Sequence, residues 1–408
     1  MEHHWQGLDF LRGLGIFVLL VMHTAFYYFA GLWDLDLNDP PLIITVIGFL
    51  LMFAGLFAMI SGAVHGISIL RLDRSGRWPL RQIGVKKLVS AFFILIVAWV
   101  YFIFTGPGLA EFANRRMNNS ILVEWITSGR WAGFNLERLF YVDSLVMIAS
   151  NTLLVSLIWL LLIRIKRLKS SILLGLTGIV MVLSLLRLPL YPWYLEQVAQ
   201  ARWLNVCLTF WLVNKNNPVL PFLAFGLLGS WVGLLLEEGQ SRKKLLALGL
   251  PLLVIGLALY VLLPDTMLQR AIDLKWYSIM LAQLGLFLLL IMAALAVFDR
   301  GRAQMPPVPD HLLVRFIKRF SYAGLTAFFW ESVVAALVWR LLSLVLPGLR
   351  LGIGGALLFG LSLALAWGLL LAAWERIAYR GSIESAYGLI VGKLGKTSSK
   401  AAKLRDRA

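Results

Sequence analysis

Ten runs of mostly apolar residues, each near the length of a bilayer-crossing helix, constrain this chain more than any other feature. They fall at 10–31, 42–67, 83–105, 139–163, 171–188, 218–236, 244–263, 276–298, 318–346 and 352–377. A helix needs roughly 20 residues to cross the hydrocarbon core. Lipid offers open backbone groups no partner, so such runs must be helical. The predicted fold class is an all-α polytopic membrane protein with about ten transmembrane helices. Composition agrees, with 60% hydrophobic and only 14% charged residues, against about 25% charged in soluble domains. The single cysteine, Cys207, excludes an intramolecular disulfide framework and a thiolate metal cluster, and no metal is expected. The first run lacks a basic leader and a small-residue cleavage site, so it is expected to remain as a span. The stretch 189–217 contains Pro189, Pro192, Arg202 and Lys215 and runs into Pro218; it is expected to be an interfacial or re-entrant element instead of a span.

Basic residues set the orientation, because cytoplasmic loops carry an excess of Lys and Arg. With the N-terminus inside, the inner segments hold 27 of the 38 Lys and Arg and the outer ones hold 11. The first outer loop, "WDLDLNDPP", is acidic. Both termini are therefore expected in the cytoplasm, with 1–380 as a single transmembrane domain and 381–408 as a basic cytoplasmic tail. The net charge of +17 follows from the same loops. Nucleic acid is not an expected partner, whereas anionic lipid headgroups are. The outer loop 106–138 mixes Trp125 and Trp131 with Arg115, Arg116 and Arg138, a set suited to a polar or sugar-like ligand or to interfacial anchoring.

An ionisable group in the bilayer costs about 2.5–3.5 kcal/mol or more, so each one needs a reason to be there. His23 sits mid-way along the first run. Arg12, eleven residues earlier, is about 20° from a whole number of turns away and about 16 Å down the helix, so both share a face. Asp9 is one turn before Arg12 and can pair with it. Gly13 and Gly15 keep that end slim enough for a helix or a ligand. On the second run Ser61 and His65 share a face, with Gly62 between them, and lead into a loop with Arg71, Arg74, Arg77 and Arg81. That arrangement can admit a phosphorylated carrier or serve close helix packing. Asp143 lies toward the outer end of the fourth run. Glu331 lies mid-way along the ninth, at a depth similar to His23, which suggests a proton-handling pair.

Several of these segments resemble a known family. "LDFLRGLGIFVLLVMH" is similar to the first-helix signature of integral-membrane acyltransferases of the acyltransferase-3 group, with its Leu-Asp-x-x-Arg-Gly start and Arg-x10-His spacing. "FLLMFAGLFAMISG" looks like that group's aromatic second helix. "NNPVLPFLAFGLLGSWVGLLLE" and "WERIAYRGSIESAYGLI" are more like the heparan-glucosaminide N-acetyltransferase and YeiB-like branches. "FSYAGLTAFFWESVV" falls where those families have a late polar-aromatic helix.

The resemblance implies transfer of an acyl group, usually acetyl, from cytoplasmic acyl-CoA (acetyl-CoA) to a hydroxyl or amine of a glycan or lipid-linked acceptor across the membrane. His23 would be general base or transient acyl carrier, assisted by Glu331 or Asp143. Asp9, Arg12, Ser61, Gly62, His65, Arg74 and Arg77 would contact substrate, and the location would be a bacterial cytoplasmic membrane. A proton-coupled transporter or lipid-linked-glycan flippase, with His23, Asp143 and Glu331 as a proton relay, is the alternative; a membrane scaffold or inactive relative is a third. The oligomeric state stays open, a homodimer included.

Overall fold

The computed structural model describes residues 4–392 except 37–38, 77, 113–114, 132, 135, 166, 215, 241, 265–272 and 300–310. Among the described residues, ten helices are long and apolar enough to cross a membrane. They are α1 (Gln6–Tyr28), α2 (Leu42–Arg74), α3 (Leu80–Thr105), α4 (Ser144–Leu162), α5 (Lys169–Ala199), α6 (Val219–Glu237), α7 (Lys243–Leu262), α8 (Leu274–Phe298), α9 (Gly324–Val345) and α10 (Ile353–Glu375). Each matches one of the expected runs, and the protein is an integral membrane protein of the all-α class. A small antiparallel hairpin, β1 (Leu109–Glu111) with β2 (Arg116–Asn118), lies in the segment between α3 and α4.

The chain packs as two compact units. The first gathers Met1–Phe53, Trp99–Leu139 and Ala294–Ala386; the second gathers Ala54–Ala98, Phe140–Ala293 and Tyr387–Ala408.

In the first unit α1 packs against α9, α10 and a short basic amphipathic helix, Leu312–Tyr322. The N-cap residue of α1, Trp5, makes no side-chain capping bond. The Asp299 carboxylate caps the helix instead, accepting from the Gln6 and Gly7 amides at 3.0 and 2.9 Å, which satisfies orphan donors that would otherwise stay open. Gly13 presses on the backbone of Ile317, so the slimness read from the sequence serves a helix contact. Glu384, at the start of Ile383–Gly392, caps α9 in the same manner through the amides of Leu325 and Thr326. The tail drawn at 381 thus begins with packed residues; its stretch 393–408 lies outside the described residues.

In the second unit α2 and α6 meet backbone to backbone. A Cβ on Gly62 would run into Gly226, one on Gly229 into Met59, and one on Gly233 into Ala63. Small residues four apart permit this close approach between membrane helices. The apolar window of α6 is 94% buried as a result, so protein and not lipid surrounds it.

The structure corrects the reading of 189–217. α5 runs through Pro189 and Pro192 to Ala199, after a tighter 3-10 turn at Ser184–Leu186. Proline deletes a helical amide and crowds the carbonyl four residues back. The carbonyl four back from Pro189 belongs to Leu185, inside the tight turn, where the Tyr277 hydroxyl also donates to the Ser184 carbonyl. Ala201, with φ of +52°, then breaks the chain. Helix Trp203–Val213 follows, and the buried Arg187 guanidinium donates to its last carbonyl, Val213, and to that of Asn214.

Candidate active site

Within the first unit α1 places His23 and α9 places Glu331 side by side, although 308 positions separate them in sequence. His23 Nδ1 lies 2.7 Å from Glu331 Oε1. The Tyr101 hydroxyl donates to the same oxygen at 3.1 Å. Tyr101 opens a π-helical turn, Tyr101–Thr105, that ends α3 at Gly106. Such bulges recur at functional sites because they reposition one side chain. Phe328 packs on the Tyr101 ring, with centroids 4.7 Å apart, and on the imidazole of His23 at 6.1 Å.

Exposure differs across the pair. The Glu331 side chain is 4% exposed and that of His23 is 20%. Glu331 Oε2 is buried with no partner among the described residues, a costly arrangement that functional sites retain more often than ordinary cores do. His23 and Glu331 both line a cavity of about 490 Å³, within the size range of small-ligand sites. Tyr27, Trp33, Asn119 and Trp339 form other parts of its wall.

This geometry fixes what the imidazole can do. A buried carboxylate on Nδ1 holds the tautomer that carries its proton there, leaving Nε2 with the lone pair, and it stabilises the imidazolium once Nε2 takes up a proton. That is the division of labour in His–carboxylate catalytic pairs. The same pair held in an apolar wall is suited to withdraw a proton from a hydroxyl or amine brought into the cavity.

The other expected site residues are placed as follows. Arg12 donates from Nη2 to Asp9 Oδ1 at 3.1 Å and from Nε to Ser321 Oγ at 2.8 Å. His4 holds the second Asp9 oxygen. This cluster ties α1 to helix Leu312–Tyr322. Asp143 belongs to the second unit, and its carboxylate is the N-cap of α4, accepting from the Val146 amide at 2.8 Å. In that unit His65 Nε2 meets Thr152 Oγ1 at 3.0 Å, and its Nδ1 meets Lys87 Nζ at 3.3 Å. Lys87, itself buried, also donates to Ser68. Ser61 is half-buried on α2, and Gly62 is occupied by its contact with α6. Arg74 joins Arg71 on Glu237, at 3.3 and 2.7 Å. Arg77 lies outside the described residues.

No family model matches the chain, and no curated protein or solved structure is similar to it.

Sequence reading missed Tyr101, hidden in an aromatic run. It counted Lys87 as a topology signal. It also missed Arg340 and Arg350, which line the cavity beside His23. One signal was present for those two: both lie in segments assigned to the outer side, where basic residues are uncommon.

Proposed function

We propose that this protein is an acyl-CoA-dependent acyltransferase of a bacterial cytoplasmic membrane, with both termini in the cytoplasm. It would move an acetyl group from cytoplasmic acetyl-CoA to a hydroxyl or amine of an extracytoplasmic glycan or glycolipid. The observation that carries the reading is the 2.7 Å contact of His23 with a buried carboxylate in the wall of a ligand-sized cavity. The Arg-x10-His spacing from Arg12 to His23, and the resemblance it brings, point to the same chemistry.

His23 Nε2 takes the acceptor's proton as its oxygen or nitrogen attacks the thioester carbonyl. The new C–O or C–N bond forms, the C–S bond breaks, and the CoA thiolate leaves and recovers the proton from the imidazolium. Glu331 holds the ring and offsets its positive charge, while Tyr101 fixes the carboxylate.

The test uses purified protein, acetyl-CoA binding by thermal shift, and incorporation of labelled acetyl into the glycans of expressing cells. An amide cannot take up a proton, and general-base catalysis contributes about 10²–10⁴-fold. His23→Gln should keep the acetyl-CoA shift and lose transfer by at least about a hundredfold. A His23→Gln protein with full transfer, or a wild-type protein blind to acetyl-CoA, refutes the reading.

A further inference from the structure

Arginine is concentrated in the first unit where insertion alone would keep it scarce. Of the 11 Lys and Arg in segments assigned to the outer side, five line two adjoining cavities. Arg340 and Arg350 line the cavity that holds His23. Arg116, Arg130 and Arg138 line a second one of about 330 Å³, which shares Met117 and Asn119 with the first. The positive-inside rule disfavours this distribution.

One of the five has a structural role. Arg138 is buried and donates to the carbonyls of Phe102, Asn118 and Pro107 at 2.7–2.8 Å, so it ties the outer segment together. Arg340 and Arg350 are different. Both are exposed, and neither guanidinium makes an ion pair or hydrogen bond among the described residues. The one carboxylate in the wall of their cavity is Glu331, which is engaged by His23 and Tyr101. Arg350 is not on a loose loop, because the Ala30 amide donates to the carbonyl of its neighbour Leu351 at 3.0 Å, pinning that strand beside the end of α1. Arg340 is nine residues beyond Glu331 on α9, about 13.5 Å along the helix. Trp33 and Trp339 supply flat apolar walls in the same cavity.

We infer that the cavity takes an anionic saccharide, whose carboxylate or phosphate is held by Arg340 and Arg350 while a hydroxyl elsewhere on the molecule meets His23. The reaction side of this inference rests on the acyltransferase reading; the binding side does not. Guanidinium groups match carboxylate and phosphate in a bidentate manner. The separation along α9 places the charge on a part of the acceptor remote from the reacting hydroxyl.

The experiment uses the full chain in neutral detergent and three probes: tetragalacturonate for a carboxylate, glucose 1-phosphate for a phosphate, and maltotetraose as the neutral reference. Binding is read by thermal shift and equilibrium dialysis, with and without added NaCl. At least one anionic probe should bind about tenfold or more tighter than maltotetraose, the effect of about one charge-assisted hydrogen bond, and salt should erode the difference. Arg340→Gln with Arg350→Gln should abolish the preference, and Arg340→Lys with Arg350→Lys should retain part of it. The anion that wins identifies the group. Equal binding of neutral and anionic probes overturns the inference, as does undiminished anion preference in the Gln pair. Competition by phosphatidylglycerol vesicles, with the same arginine dependence and no saccharide binding, also overturns it in favour of a headgroup site. Anion binding that survives in a protein without acyl transfer keeps this inference and removes the enzymatic one. Equal acetylation of maltotetraose and tetragalacturonate does the reverse.

Discussion

The contact between α2 and α6 lends itself to a quantitative test through Gly233→Ala. A Cβ at Gly233 would stand 2.5 Å from the Ala63 carbonyl oxygen, about 0.9 Å short of the 3.4 Å at which ordinary contact begins. The obstacle is backbone, with the Ala63 carbonyl carbon and Cα both at 3.2 Å, so no side-chain rotation relieves it. The helices must separate or tilt by close to an ångström, and Gly229 with its partner Met59, one turn away, must move with them. Overpacking of this kind costs about 1–3 kcal/mol, while alanine's better helix propensity returns at most about 1 kcal/mol. The net expectation is a loss of about 1–2 kcal/mol. Gly178→Ala on α5 is the matched control, because nothing lies within 4 Å of its new Cβ. Unfolding midpoints of both variants in one detergent, by tryptophan fluorescence against denaturant, give the comparison. If Gly233→Ala unfolds where Gly178→Ala does, the helices are not in backbone contact and the account of the second unit is wrong.

Glu331→Gln should cut acetyl transfer by about a hundredfold, since an amide oxygen still accepts from Nδ1 but does not balance an imidazolium; Tyr101→Phe should cost about tenfold or less, and the reverse order in a transfer assay would sink the assigned roles. Arg12→Ala should lower stability by about 1 kcal/mol, a partly exposed pair being worth little more, and adding Asp9→Asn should recover part of it in denaturant titration; an unchanged midpoint with weakened acetyl-CoA binding would mean that Arg12 meets the ligand. Arg71→Ala should destabilise more than Arg74→Ala, because Arg71 is 23% exposed against 51% and screening is weaker for the less exposed charge; equal midpoints would contradict this.

Span positions were legible because apolar length is a one-dimensional property. Even so, α5 was cut eleven residues short at 188 instead of Ala199, since prolines stop most helices and here the helix continues through Pro189 and Pro192. Depth was legible too, and it placed His23 and Glu331 at one level of the membrane. Which helices are neighbours is not written in hydropathy, so their contact, and that of His65 with Lys87, emerged only in three dimensions. Asp9 with Arg12 was readable as a one-turn pair on a single helix. Asp143 carried a signal that was passed over: an aspartate immediately before an apolar helix is a preferred N-cap, and "VDSLVM" follows that pattern. The glycines of α2 and α6 were seen as packing residues or ligand contacts, and the steric fit decides for packing at Gly62.

The first unit is stitched from three distant stretches of chain, and this sets the order in which a ribosome can deliver it. When α1 enters the membrane its opening amides lack Asp299, and His23 lacks Glu331, the carboxylate that Tyr101 in turn holds. The imidazole therefore waits unpartnered while most of the polypeptide is still unmade. A nascent chain halted before Glu331 would carry an imidazole without its carboxylate in an otherwise apolar helix, the kind of substrate that membrane insertases shelter and quality-control proteases remove. The imidazole and its carboxylate thus come together late, with the ninth helix, and no shorter nascent chain holds the His23–Glu331 contact.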